Sequence, residues 1–326
     1  MNAEQPQCLF GRFPEKIPLF ERAQPLVHRR EILGNAVVWP GSGLIRKADE
    51  KLEFEPIWIK EHLVQCGDYA SKWSYFPVTH KGLYFNLSLF WWQNYYHWFA
   101  DVLTRLQGLL PLSDLELKII LPSGMAAWQR RSLELIGVPE NQCIFYSGKR
   151  PWRLEKLLYH SPVIMTGNQT VESLLWLRNR LLSSSRVLLP STGWRKIYLS
   201  RKGERSRHIL NEEEYLPLLR ENGFEVINCA QLALEEQIRI FSEAQCVVAP
   251  HGAALTNILY APPEAKIFEI FEPESIRQCY WSMSVTLGHD YHFGVGTSVV
   301  NPSGEANLSV RGDELLSALK TSGFLS

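Results

Sequence analysis

The sequence lacks any charge excess. Its 34 lysines and arginines balance 34 aspartates and glutamates. A chain that binds nucleic acid over its whole surface usually carries a basic surplus, so that class is disfavoured, while a local cationic cleft remains compatible with zero net charge. Long apolar runs are missing too. No stretch approaches the roughly 20 apolar residues of a membrane span. The opening, MNAEQPQCLFGRFPEK, has no apolar core of the kind a signal peptide needs. Cysteine is sparse and unpaired in pattern: Cys8, Cys66, Cys143, Cys229, Cys246 and Cys279 are scattered with no Cys-x-x-Cys. They read as reduced thiols. Collagen-like, heptad and low-complexity segments are absent, as is any internal repeat.

What the sequence does have is enough apolar material for a full core, 45% of 326 residues, with abundant aromatics. That length fits one large domain or two ordinary ones. Residues 1–35 are rich in proline, charge and glutamine and read as a surface wrap. Strands are expected at 36–40, 83–92, 118–122, 142–146 and 152–160, with helices at 94–110, 126–137 and 171–184. Serine, proline and glycine at 183–193 mark a boundary. Beyond it come strands at 196–200, 224–228, 246–250, 266–271 and 291–295. They alternate with helices at 211–222, 233–242, 255–260, 275–287 and 312–321. Asn211 and Glu214 have the spacing of a capping box. Alternation of this kind predicts an α/β fold with two Rossmann-like domains, 1–188 and 189–326.

The most informative stretch is QCVVAPHGAALTNILY, residues 245–260. A short apolar strand runs into His251-Gly252-Ala253-Ala254 and then into apolar residues at helical spacing. Open α/β sheets bind ligands at such carboxyl ends, and a helix start presents N–H groups to an anion. Gly252 permits a sharp turn and close approach to the backbone. Ala253 keeps the helix start uncrowded. Upstream, RKGERSR at 201–207 puts Arg201, Lys202, Arg205 and Arg207 after another strand. In NYYHWFADVLTRL, residues 94–106, helical spacing gathers Asn94, His97, Asp101, Thr104 and Arg105 into an arc of roughly 100°. That stripe is either a solvated face with an Asp101–Arg105 pair or a functional face. Aromatics around it, including Trp91, Trp92 and Trp98, suit a sugar, whose C–H faces stack on rings while its hydroxyls take hydrogen bonds.

Four pieces, in order, resemble glycosyltransferase family 61: NYYHWFADVLTRL (94–106), IYLSRKGERSRHILNEEE (197–214), VVAPHGAALTNILYAPPEAKIFEIF (247–271), and YW followed by GHDYH (280–292). The match is specific to family and poorly specific to substrate. It implies two Rossmann-like domains facing across a cleft, a GT-B-like arrangement, with the acceptor on the first and a nucleotide-sugar donor on the second. It further implies transfer with inversion. Among relatives, a bacterial member of the capsular-polysaccharide type fits a chain read as having no membrane anchor. The expected setting is therefore cytoplasmic synthesis of cell-surface polysaccharide, compatible with peripheral contact at the membrane face.

Sugar transfer from a nucleotide diphosphate requires that the departing charge be stabilised, that an acceptor hydroxyl be deprotonated and that water be excluded. Asp-x-Asp, a frequent metal-holding signature of sugar transferases, is absent. Arginines and a helix start can replace a cation. The expectation is therefore a metal-independent enzyme without cofactor, using a UDP-type donor. Arg201, Arg207, His251, Gly252, Ala253 and Asn257 are assigned to the donor phosphates and their loop, with Lys202 and Arg205 turned to water. Glu269, inside an apolar strand, is assigned by analogy to the donor ribose, the alternative being a local ion pair. Tyr280 and Trp281 either stack on the base or pack. The general base is Asp101 or His97. Asn94, Arg105 and Trp98 are assigned to the acceptor. His289 and His292 have His-x-x-His spacing without accompanying ligands, so no metal site is expected. The competing reading is a non-catalytic carbohydrate-binding protein with a relic donor site. A third is a nucleotide-dependent enzyme of another class, such as an epimerase.

Overall fold

The computed structural model describes residues 6, 8–11, 30–48, 52–53, 76–107, 109, 116–148, 150–160, 170–204, 207–300 and 306–325. The chain forms two compact units, Gln24–Ser184 in one and Ser185–Ser326 with Met1–Ala23 in the other. The division thus falls at 184/185, where the turn-rich stretch begins. Among the described residues, no helix is long and apolar enough to cross a membrane.

The Gln24–Ser184 unit is built on one mixed sheet. Its strands are β1 (Arg30–Trp39), β2 (Leu44–Arg46), β3 (Leu52–Glu53), β4 (Val78–Asn86), β5 (Leu117–Pro122), β6 (Cys143–Tyr146) and β7 (Trp152–His160), in the order β3-β2-β1-β7-β4-β5-β6. Strands β7, β4, β5 and β6 are parallel. Among them β5 carries the continuous apolar run of a strand covered on both faces, Ile119-Ile120-Leu121 with no exposure. Strands β1, β2 and β3 add an antiparallel wing. The unit is therefore not a regular Rossmann sheet: β6 passes to β7 through 147–151, too few residues for another crossover helix.

Two expectations for this unit change. Strand 83–92 shifts to β4, ending at Asn86, because Trp91 takes a left-handed φ of 61° in the turn that follows. The helix expected at 94–110 becomes three short pieces: α1 (Tyr95–His97), a π-turn at Trp98–Val102 and a 3-10 turn at Leu103–Leu106. The change of pitch breaks the 100° periodicity. The polar stripe consequently does not form one outer face, and Asp101, Thr104 and Arg105 are buried. Residue 110 lies outside the described residues. Helix α2 (Ala127–Ile136) ends as expected at Gly137, whose φ of 88° suits a residue without Cβ. It packs on α3 (Val171–Ser184).

The other unit holds an all-parallel sheet of β8 (Arg195–Leu199), β9 (Phe224–Ile227), β10 (Ala244–Pro250), β11 (Lys266–Phe271) and β12 (Asp290–Val295). The order is β12-β11-β10-β8-β9. From the other edge this is 2-1-3-4-5, a doubly wound sheet that changes direction between β8 and β10. Helices α4 (Leu216–Glu221), α5 (Leu234–Ser242), α6 (Cys279–Leu287) and α7 (Gly312–Thr321) accompany it, with a 3-10 helix at Ala253–Tyr260. A small hairpin, β13 (Thr297–Val300) with β14 (Ala306–Ser309), stands apart from the sheet. Tyr198, Leu219, Val248, Phe268 and Leu319 form part of one buried cluster. Cys8–Gly11 belong to this unit as well: the Leu9 N–H donates to Phe293 O at 2.9 Å, and the Phe10 ring stacks on Phe268 at 5.9 Å. The capping box at Asn211 does not form. Asn211 Oδ1 accepts the Val310 N–H at 3.0 Å, tying the loop to the C-terminal segment instead.

Candidate functional site

The sheet order of the second unit decides where its chemistry lies. Tyr198 of β8 is level with Val248 of β10. Arg201 and His251, each three residues further on, therefore leave the sheet side by side at the switch point. Gly252 makes this possible through space rather than through backbone freedom. Its φ of 178° is ordinary extended chain. A Cβ there would sit 2.1 Å from Arg201 Nη1, so the guanidinium lies across the glycine. The close approach at Gly252, expected of a ligand, is made by Arg201.

The stem of the basic loop is held firmly. Ser200 Oγ donates to Glu212 Oε1 at 2.7 Å and accepts the Lys202 N–H at 3.1 Å, while Asn228 Nδ2 donates to Lys202 O at 3.1 Å. Lys202 points outward to Glu213. Arg205 lies outside the described residues. Arg207 adopts a left-handed φ of 59°, a costly conformation for arginine and of the kind found at functional sites. Burial pulls the Arg201 guanidinium below the usual arginine range, and the like charge of Arg207 adds to this. Two cations held in this way favour a bound anion.

His251 is fixed from behind. Its Nδ1 lies 2.5 Å from Glu269 Oε1, and the Tyr291 hydroxyl donates to Glu269 Oε2. The Phe271 ring stacks on the imidazole at 5.3 Å, and Tyr280 tilts against it at 5.6 Å. With Nδ1 committed, Nε2 is the nitrogen offered to a ligand. Ala253 opens the 3-10 helix, and the Leu255 N–H to Gly252 O bond is the first of its ladder. The N–H groups at 252–254 thus precede the ladder, as the first donors of a helix do.

Several assigned residues serve this arrangement without facing it. Glu269 is fully buried with both oxygens engaged, so it orients His251, and a ribose contact would need an oxygen it does not present. Asn257, also fully buried, donates to Gln237 Oε1 at 2.9 Å and to Ala254 O at 3.0 Å, bracing the turn against α5. Tyr280 and Trp281 are buried. His289 approaches Ala261 O, and His292 pairs with Asp290. Among the described residues no three His, Cys, Asp or Glu groups cluster as metal ligands.

The residue that sequence reasoning passed over is Glu272. It follows β11, at the carboxyl end of its strand, and is 8% exposed. Burial raises its carboxyl above the usual range, while Arg207, His251 and Arg201 act against that rise. Its Oε1 has no hydrogen-bond partner among the described residues. The signal was in FEIFEP: of two glutamates, the one beyond the strand reaches the ligand end of the sheet.

In the first unit the segment after β4 carries a second histidine–carboxylate pair. Asn94 caps α1, accepting the N–H groups of Tyr96 at 2.9 Å and His97 at 3.3 Å. The His97 Nδ1 lies 2.6 Å from Asp101 Oδ2, the His97 side chain being 14% exposed and that of Asp101 0%. Trp91 lies against the imidazole at 5.0 Å and Tyr96 at 5.4 Å. Asp101 is therefore the inner member and His97 the outer one.

Two acceptor assignments are corrected here. Arg105 is buried, not presented to a ligand. Its Nη1 donates to Leu87 O, and its Nε and Nη2 donate to His160 O, clamping the carboxyl ends of β4 and β7. Burial pulls its guanidinium down to about 10, and the Phe85 ring lies 5.0 Å away. Trp98 is fully buried, with Nε1 donating to Ser132 Oγ at 2.8 Å. Asn94 remains exposed but serves as the cap.

A family model described as Glycosyltransferase 61 matches residues 95–268, more than half of the chain. The match takes in His97, Asp101, Arg201, Arg207 and His251. An EGF domain-specific O-linked N-acetylglucosamine transferase of Drosophila melanogaster is 31% identical over 121 residues, covering 36% of this chain and 23% of that protein. A Beta-1,2-xylosyltransferase of Arabidopsis thaliana is 28% identical over 103 residues, 28% of this chain and 19% of its own length. The Mus musculus EGF domain-specific O-linked N-acetylglucosamine transferase is 29% identical over 107 residues, 31% of this chain and 20% of that protein. The chain thus spans only about a fifth of the length of these relatives. With the family model covering more than half of its residues, the chain belongs to glycosyltransferase family 61.

Proposed function

We propose that the protein transfers a sugar from a nucleotide-diphosphate sugar to a hydroxyl of a glycan or glycolipid, with inversion and without a divalent metal. The observation that carries this is the convergence of Arg201, Gly252 and His251 at the switch point of the parallel sheet, with Arg207 and Glu272 beside them. Arg201, Arg207, His251 and the N–H groups at 252–254 would hold the diphosphate. Glu272 would accept from a ribose hydroxyl, taking the role first assigned to Glu269.

His97 would be the general base, with Asp101 positioning it. As the acceptor oxygen attacks the anomeric carbon, its proton passes to the imidazole. The bond from that carbon to the diphosphate breaks, and the electron pair leaves with the diphosphate towards the arginines. One displacement inverts the anomeric centre. Support for cationic side chains in place of a metal is the arginine pair and the absence of Asp-x-Asp. The setting would be cell-surface polysaccharide synthesis. The relatives' names make N-acetylglucosamine and xylose the first donor sugars to try.

A thermal-shift panel of nucleotides and nucleotide sugars tests the reading. A UDP-type ligand at 100 times its Kd should add about 2.7 kcal/mol of stability. His251→Ala and Arg201→Ala should abolish that gain. Mass spectrometry should then find transferred sugar with EDTA present. If no nucleotide stabilises the protein, the proposal fails. Glycan binding without product would favour the non-catalytic reading.

A further inference from the structure

The geometry points to a neutral saccharide subsite in the Gln24–Ser184 unit, which takes a sugar ring of the acceptor. Only its role as an acceptor site rests on the transferase reading; sugar binding there can be measured separately. A cavity of about 470 Å³ opens beside the strand ends of this unit. That is within the roughly 300–1,000 Å³ of small-ligand sites. Three aromatic side chains wall it: Phe90 and Trp92 from the turn after β4, and Tyr146 from the end of β6. Ser42, Ser123 and Ser147 line it as well.

The polar groups are unequal. The Ser42 hydroxyl is spent, donating to Trp39 O at 2.7 Å and accepting the Leu44 N–H at 3.3 Å. Ser123 and Ser147 are exposed, and their hydroxyls are the ones available to a ligand. Among the described residues no Asp, Glu, Lys, Arg or His lines the cavity. The described wall thus offers no counter-charge to an anion and favours a neutral ligand over a phosphate or uronate; Lys149, next to Gly148, lies outside the described residues. Ring faces beside a few hydroxyls match a neutral sugar, which presents apolar C–H surface and hydroxyls together.

The turn that forms the wall also reaches the proposed base. Trp91 stands between Phe90 and Trp92 in sequence, meets Phe90 edge-on at 5.5 Å, and lies against His97 at 5.0 Å. A ring seated on Phe90 and Trp92 is thereby connected, through one strained residue, to the imidazole that would deprotonate it.

The test uses the full chain, an array of neutral oligosaccharides containing glucose, xylose or N-acetylglucosamine, and a charged arm of uronic-acid and phosphorylated oligosaccharides. Binding is read by tryptophan fluorescence and saturation-transfer NMR without nucleotide. Neutral glycans should bind, and the charged arm should not. Gly148→Phe should weaken binding at least tenfold by filling the cavity edge. Its φ lies outside the left-handed region, and an added Cβ meets only the Tyr146 ring at 3.6 Å, so the fold should tolerate it. Phe90→Ala should weaken binding similarly, with unchanged melting as the control for folding. No neutral binding by the wild type, undiminished binding by Gly148→Phe, or preference for the charged arm would each overturn the inference. Nucleotide stabilisation without glycan binding leaves the transferase reading and removes the subsite. Glycan binding without nucleotide stabilisation does the reverse.

Discussion

The two units each hold a histidine whose Nδ1 rests on a buried carboxylate, yet the two pairs are built differently. His97–Asp101 is local, one turn apart in a distorted helix. His251–Glu269 joins neighbouring strands across 18 residues of sequence, and Tyr291 on a third strand completes it. Their surroundings also differ. Two aromatics flank each imidazole, Trp91 and Tyr96 at His97 and Phe271 and Tyr280 at His251, but only His251 shares its neighbourhood with Arg201, Arg207 and Glu272. One side-chain pair can therefore serve opposite tasks. With aromatics alone beside it, the imidazole can take a proton from a neutral hydroxyl. Among cations, it is one more ligand for a diphosphate.

The sharpest way to break this comparison is to remove one histidine at a time. His97→Ala should lower kcat by about 10²- to 10⁴-fold, the usual worth of a general base. Nucleotide stabilisation should stay intact. Asp101→Asn should lower kcat as well, because it disturbs the tautomer and orientation of the ring. Loss of nucleotide binding in His97→Ala, measured by calorimetry, would show that the roles are not separated. His251→Ala and Arg201→Ala should show the complementary pattern. About 100-fold weaker nucleotide binding, or about 2.7 kcal/mol, is expected from losing a charge-assisted contact. Glu269→Gln should weaken binding less, since the ring remains with a poorer partner.

The units also differ in how much their sequences reveal. In the second, each site residue follows an apolar strand, and the sheet order then brings the ends of β8 and β10 together. A strand-end rule locates such residues without knowledge of side-chain packing. It would have found Glu272 had it been applied to both glutamates of FEIFEP. In the first, the assignments relied on an unbroken helix of 3.6 residues per turn. Nothing in WFADV announces a π-turn, so Arg105, assigned to the polar stripe, lies inside, as does Trp98, assigned to the aromatics beside it. His97 and Asp101, expected as alternative bases on one stripe, meet as a pair because four residues still span about one turn. The antiparallel wing β1–β3 was equally hidden: only 36–40 of β1 was legible, since Asn35 breaks its pattern with a φ of 53°.

Gly252 sharpens the same contrast at smaller scale. Alanine fits its backbone angles, so Gly252→Ala should fold normally. The new methyl would displace the Arg201 guanidinium, whose Nη1 lies where the Cβ must go. About tenfold weaker nucleotide binding is expected, or about 1.4 kcal/mol. Arg201→Ala in the Gly252→Ala background should then cost less than it does alone. A double-mutant cycle reads that coupling, and full additivity would mean the glycine serves something other than the arginine.

The smallest expected effect concerns Glu272, whose pKa in the fold is raised by burial against the pull of Arg207, His251 and Arg201. An acid with a raised folded pKa binds more protons folded than unfolded over the interval between the two values. Stability then falls as pH rises through that interval, starting near the ordinary glutamate value. Glu272→Gln should remove this slope and leave the protein more stable at neutral pH, by less than about 1 kcal/mol. Melting curves of both proteins from pH 4 to 7 give the difference directly. A difference of opposite sign, with glutamate stabilising as pH rises, would mean that the arginines outweigh burial. Glu272 would then be an ion-pair partner of the loop, leaving no carboxylate in reserve for a ribose.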